Sequence, residues 1–167
     1  VEDLQDLMEG IKILIGENGV FIFEVPYLVD LIKKLEFDTI YHEHLSYFSL
    51  LPIVNLTNRY GLEVFNVRKQ SVHGGTIRVF ISQKNNFKAK DSVKHFLDEE
   101  QRFGLDDINI YRSFSIKVDE FKRKLKTELE IIKKENKSIF GYGAPAKGNV
   151  LLNYCDIDTS FLDYVID

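Results

Sequence analysis

The chain has 167 residues, 44% hydrophobic and 13% aromatic, enough to bury one good core or two small ones. Its 22 basic and 26 acidic side chains are mixed along its length and leave a net charge of -4, so there is no basic stripe for phosphates and nucleic acid is excluded as an expected partner. No stretch is long and apolar enough to cross a bilayer, and the single cysteine, Cys155, excludes an internal disulfide and a multi-cysteine zinc site; a reducing cytoplasm and no metal held by this chain are expected.

The opening segment repeats Leu4, Leu7, Met8, Ile11, Leu14 and Ile15 at three- and four-residue spacing, which predicts an amphipathic helix. Glu17-Asn18-Gly19 makes a turn. Residues 20–25 then form a near-continuous apolar run of the kind buried on both faces of a parallel sheet, ended by Pro26. Residues 27–35 read as a short helix, and 36–48, polar and aromatic with no period, as a loop. Ser49 is placed to cap a helix over 50–60, with Gly61 just past its end, where a left-handed residue is wanted.

Residues 62–68 and 76–82 predict two strands joined closely enough to pair antiparallel, with Ile77, Val79 and Ile81 on one face of the second. The polar stretch 83–90 is the best linker. Beyond it come a helix to about residue 103 and a long one over about 107–136, whose stripe of Phe114, Val118, Phe121, Leu125, Leu129 and Ile132 reads as core. A strand over 138–142, a glycine turn, a helix begun by Pro145 and a strand over 162–167 complete a β-α-β unit. The chain opens without methionine inside a helical pattern and stops directly after an apolar run, so an internal piece of a longer protein is expected.

Three segments carry chemistry. Tyr41-His42-Glu43-His44 crowds a phenol, two imidazoles and a carboxylate into four residues, a setting that can tune a base. A His-x-His metal site lacks a third ligand of matching spacing, and a hydrogen-bonded loop without chemistry is the plain alternative. In Ser71-Val72-His73-Gly74-Gly75-Thr76-Ile77-Arg78 the glycines allow close approach to a ligand and Arg78 can fork onto phosphate, although a tight turn and a solvated arginine explain the same residues. Gly141-Tyr142-Gly143-Ala144-Pro145-Ala146-Lys147-Gly148-Asn149 sets a helix N-terminus and a lysine above a sheet, which favours phosphate; its spacing is neither a dinucleotide fingerprint nor a P-loop. Asp167 stands roughly where dinucleotide folds keep a ribose-binding acid, so a nicotinamide site is the rival.

Together and in this order, the run from Tyr41 to Ser49, the hairpin motif and the glycine turn resemble the nucleotide-sugar C-methyltransferases, which add a methyl group to carbon 3 of a 4-keto-deoxysugar. The resemblance implies an α/β fold. Residues 1–84 would be the C-terminal half of a class I (Rossmann-like) methyltransferase sheet with its antiparallel closing hairpin, and 85–167 a long helix with a partial second Rossmann-like domain. It implies His44 as the base at carbon 3, with Tyr41 and Glu43 at the keto oxygen and neighbouring hydroxyl; an ionised Glu43 would repel an enolate, so it should hold a hydroxyl, orient a histidine or be kept neutral by burial, and His42 should face away. His73, Arg78, Tyr142, Gly143 and Lys147 become the substrate contacts, and a nucleotide-diphosphate sugar the partner. S-adenosylmethionine becomes the cofactor, its glycine motif upstream of this chain together with any zinc module, so the piece alone should be inactive. Two alternatives stand beside this: O-methylation of a sugar, and a nucleotide- or NAD-binding module without chemistry.

Overall fold

The computed structural model describes residues 2–167, except the side chain of His73, and divides into two compact units. The first comprises the chain up to Lys34 and Leu45–Ile110; the second, Leu35–His44 and Tyr111–Asp167. The linker expected at 83–90 and the boundary near residue 84 thus fall within the first unit, because the helix that follows packs back onto its sheet through Phe96.

In the first unit, α1 (Leu4–Ile15) starts at Asp3, whose carboxylate accepts the Gln5 and Asp6 N–H groups at 2.8 and 3.0 Å, a regular N-cap. It buries Met8 and Ile11 and leaves Leu14, part of the predicted stripe, exposed. The strands β1 (Val20–Pro26), β2 (Leu62–Gln70) and β3 (Thr76–Gln83) form an antiparallel sheet in the order β1-β3-β2. This corrects the parallel, doubly buried reading of β1: it pairs antiparallel with β3, and Val20 and Ile22 are exposed while Phe21, Phe23 and Val25 pack on the core. A run of apolar residues does not reveal which face is covered, and here alternate residues point to different environments.

The hairpin β2–β3 forms as its spacing predicts, and Ile77, Val79 and Ile81 are all buried between Val64, Val67, Leu50 and Ile53. Each such side chain contributes about 1.5–3 kcal/mol by leaving water, which makes this face the main source of stability in the unit. Helix α2 (Leu28–Lys34) follows β1; α3 (Leu50–Arg59) precedes β2 and ends at Gly61, whose φ of 72° is the left-handed conformation expected there. Helix α4 (Asp91–Phe103) packs against β2, where Ser92 Oγ donates to Asn66 Oδ1 at 3.0 Å.

In the second unit, α5 (Ile108–Lys134, its first turn counted with the first unit) contributes to a small core of Phe37, Val118, Cys155 and Ile157. Of the predicted stripe only Val118 is fully buried; Phe114, Leu125 and Leu129 pack partly, and Phe121 lies at the surface edge against Phe37. The strands β4 (Phe140–Tyr142) and β5 (Tyr164–Ile166) pair in parallel around α6 (Ala146–Tyr154), the predicted β-α-β unit. Pro145 is the cap residue before α6, one position earlier than its expected place in the first turn. Asp163 secures this unit by accepting Ile139 N–H at 2.8 Å and Lys133 Nζ at 3.0 Å, contacts that hold its carboxyl below the usual range. Among the described residues no helix is long and apolar enough to cross a membrane.

Candidate active site

The Tyr41–His44 segment is an irregular loop entered through a 3-10 turn, Phe37–Thr39, whose Phe37 is buried in the second core and so fixes the loop's first stem. The chain then folds on itself: Tyr41 N–H donates to Thr39 O at 3.1 Å and His44 N–H to Tyr41 O at 3.0 Å. This tight path turns the three candidate side chains toward one another. Tyr41 Oη donates to Glu43 Oε2 at 3.3 Å, and the His44 ring stands edge-on to the Tyr41 ring at 5.0 Å between centroids. His42, expected to face away, also stands edge-on to Tyr41, at 5.8 Å, so the phenol is flanked by both imidazoles. Tyr41 and His44 are half-buried while His42 and Glu43 are exposed, an arrangement open to a ligand.

The phenol is oriented by the carboxylate to which it donates; Glu43 is exposed, so burial does not keep it neutral, and its bond is to Tyr41 rather than to a histidine. A phenol, an imidazole and a carboxylate are therefore brought together within one loop, groups of the kinds that can move a proton on carbon next to a carbonyl. Among the described residues no three His, Cys, Asp or Glu side chains converge as a metal would need.

The hairpin motif behaves differently. The β2–β3 connection contains a 3-10 turn over Val72–Gly74, and Gly75, at φ 140°, approaches Asp30 so closely that a Cβ there would lie 2.8 Å from Asp30 Cγ. The close backbone approach that these glycines allow is thus used by the protein's own carboxylate. Asp30 is 3% exposed and receives Lys69 Nζ at 2.8 Å, while Lys34 Nζ reaches Gly74 O, tying the hairpin tip to α2. The expected His73 contact lies outside the described residues. Arg78 forks, as expected, but onto a carboxylate: its Nε and Nη2 reach Glu24 Oε2 at 3.1 and 2.9 Å across the β1–β3 pair, and Thr76 Oγ1 donates to Glu24 Oε1 at 2.6 Å. The fork predicted for phosphate is spent here, because strand register puts Glu24 directly opposite Arg78.

At the glycine turn, Gly141 faces β5, where a Cβ would press on Val165 Cγ2 at 3.0 Å. Gly143, at φ 89°, turns the chain and donates its N–H to Ile166 O at 2.6 Å. Asp167 is the next residue after Ile166, the strand end to which the turn is bonded. Tyr142 is 93% exposed and Lys147, in the first turn of α6, is half-buried. The structure therefore brings Tyr41, Glu43 and His44 together and sets Tyr142, Gly143 and Lys147 around a second turn in the same unit, while Arg78 belongs to the other unit. Neither glycine turn is a cradle for S-adenosylmethionine: Gly75 is filled by Asp30 and Gly141 by Val165.

Two residues escaped the sequence reading. Helix α3 is not capped by Ser49, whose side chain makes no capping bond; Glu100 from α4 accepts the N–H groups of Leu50 and Leu51 at 2.5 and 3.0 Å. Tyr27, fully buried, lies beside that carboxylate, and burial first and the Glu100 charge second push its phenol far up. Glu100 closes the acidic run Asp98-Glu99-Glu100, which looks like a solvated helix face, so no local signal marks it.

The family described as "C-methyltransferase C-terminal domain" matches residues 71–167, from the hairpin motif to the last residue. The chain is also 35% identical over 158 residues to the C-methyltransferase NovU of Streptomyces niveus, covering 94% of this chain and 38% of that protein. The chain thus spans well under half the length of this curated relative, and by the match over residues 71–167 it belongs to the C-methyltransferase family.

Proposed function

We propose that the intact protein transfers a methyl group from S-adenosylmethionine to carbon 3 of a nucleotide-linked 4-keto-deoxysugar, and that the Tyr41–His44 loop performs the enolisation. The observation that carries this reading is the Tyr41 to Glu43 hydrogen bond with His44 edge-on to the same ring. His44 takes the proton from carbon 3. The C–H electron pair becomes the carbon–carbon double bond of the enolate, and charge moves onto the oxygen at carbon 4. Tyr41 meets that oxygen. Its bond to Glu43, at 3.3 Å, is long enough to be exchanged for a shorter one to the developing oxyanion, leaving Glu43 to hold the neighbouring sugar hydroxyl. S-adenosylmethionine, when bound, would supply the methyl group that the enolate carbon takes.

The nucleotide diphosphate is assigned to the turn of the second unit, where the exposed Tyr142 offers a ring, the N–H groups ahead of the first helical bond from Asn149 to Pro145 face outward from α6, and Lys147 adds charge. Arg78 is left out of this set because Glu24 holds it.

The test is to incubate the intact protein with methyl-labelled S-adenosylmethionine and a nucleotide-linked 4-keto-deoxysugar and to locate the label. A new carbon–carbon bond at carbon 3 supports the reading; a methyl ether shows O-methylation. Binding of NADH, and of no nucleotide sugar, assigns the second turn to a dinucleotide.

A further inference from the structure

The Tyr41–His44 loop and the glycine turn lie in the same unit, and α6 serves both. The glycine turn leads into its first turn, where Lys147 stands; its last residue, Tyr154, lies against Phe37, the residue from which the loop is hung. The helix has 9 residues and is about 13 Å long, so the turn and the loop are referred to one short rigid element. Catalytic groups displaced by about 1 Å can lose about a hundredfold in rate, so the seat of Phe37 bears on the chemistry.

That seat is aromatic. The Phe37 ring is 5.2 Å from the ring of Tyr154 and 5.7 Å from that of Phe121, tilted at 53° and 60°, and the side chain is buried. Rings at this spacing favour particular mutual orientations, where aliphatic side chains would allow several. Ile40 N–H then returns to Phe37 O at 2.9 Å and Tyr41 N–H to Thr39 O at 3.1 Å, so the backbone from Phe37 to Tyr41 is a closed turn that follows the Phe37 ring.

Tyr154 is itself held by polar groups at the rim of the small core. Its Oη donates to Asp119 Oδ1 at 2.8 Å, and this bond first and desolvation second push the phenol up, which keeps it a donor. Lys122 Nζ lies 5.3 Å from the ring centroid and pairs with Asp156 Oδ2 at 2.7 Å. A leucine would fill the same space with none of these partners. The phenol, fixed at its tip and on its face, has one arrangement against Phe37.

We propose that Tyr154 is a positioning residue for the enolising loop: pinned by Asp119 and Lys122, its ring sets the seat of Phe37 and with it the placement of Tyr41, Glu43 and His44 within their unit. It acts through the Phe37 ring and the turn that follows, and touches no substrate. The catalytic consequence rests on the proposed enolisation, and the seat on the ring contacts and hydrogen bonds alone.

In the intact protein, Tyr154→Leu, which keeps the core apolar, should speed amide hydrogen exchange at Ile40 and Tyr41 by about tenfold or more, while Gly143, bonded to Ile166 O, stays within about twofold of wild type. It should lower kcat for methyl transfer by about 10- to 100-fold and leave KM for the nucleotide-linked sugar within about twofold. Tyr154→Phe, which keeps the ring under Lys122, should restore most of kcat. The double variant Asp119→Ala, Lys122→Ala frees the ring without touching the core; it should speed exchange at the same two amides by about threefold and is the one to read if Tyr154→Leu does not fold. Wild-type protection of Ile40 and Tyr41 overturns the seat, as does an equal loss at Gly143, the mark of a general loosening. Faster exchange with kcat unchanged overturns the positioning role, and so does a Tyr154→Phe that restores nothing. A wild-type protein that transfers no methyl group overturns the proposed function, and the catalytic half of this proposal with it, while the amide measurement still decides the seat.

Discussion

In the first unit the decisive charges are buried: Asp30 lies under Gly75 with Lys69 upon it, and Glu100 closes the start of α3. In the second unit the corresponding groups are at the surface, with Glu43 and His42 exposed and Tyr142 almost wholly so. The same side chain, a glutamate, is thus fixed by two backbone N–H groups in one place and by a single phenol in the other. Buried groups held by lysine and by backbone N–H groups define a scaffold; exposed groups are open to a substrate. Burial, rather than residue type, separates the two roles.

The largest stability effect is expected where that scaffold is tightest. Gly75→Ala sets a Cβ into Asp30 at a φ unfavourable for alanine, and should cost about 3 kcal/mol or more in urea unfolding, with the pairing of Thr76 to Gln70 weakened first. Wild-type stability for this variant would dissolve the contrast, since the hairpin tip would then not be packed on Asp30. Arg78→Ala is intermediate. It removes a half-exposed ion pair and should cost about 1 kcal/mol or less, with the affinity for a nucleoside diphosphate unchanged; a tenfold loss of that affinity would return Arg78 to the substrate set. His44→Ala sharpens the comparison from the other side: half-buried against the Tyr41 ring, it should change stability by no more than about 1 kcal/mol.

Much of the secondary structure was legible because local rules and packing agree. The hairpin around Ser71–Gly75, the left-handed Gly61 and the β-α-β unit of residues 140–166 all follow from period and turn chemistry. What stayed hidden was long-range. The antiparallel partner of β1 depends on a strand more than 50 residues away, the cap of α3 on a glutamate inside an acidic run, and the use of Arg78 on register with Glu24. At the candidate site the crowding of Tyr41 to His44 was visible at once, but the bond between Tyr41 and Glu43, and the second imidazole against the phenol, required the fold of the loop.

The central claim, that this loop enolises a keto sugar with His44 as the base, is tested most directly by the exchange of the carbon-3 proton in heavy water. Wild-type protein with the nucleotide-linked 4-keto-deoxysugar, and without methyl transfer, should wash deuterium into carbon 3. His44→Ala, equally folded and binding the sugar equally well, should slow that exchange by about 10²- to 10⁴-fold. Exchange in His44→Ala at the wild-type rate would contradict the account and move the base to another residue.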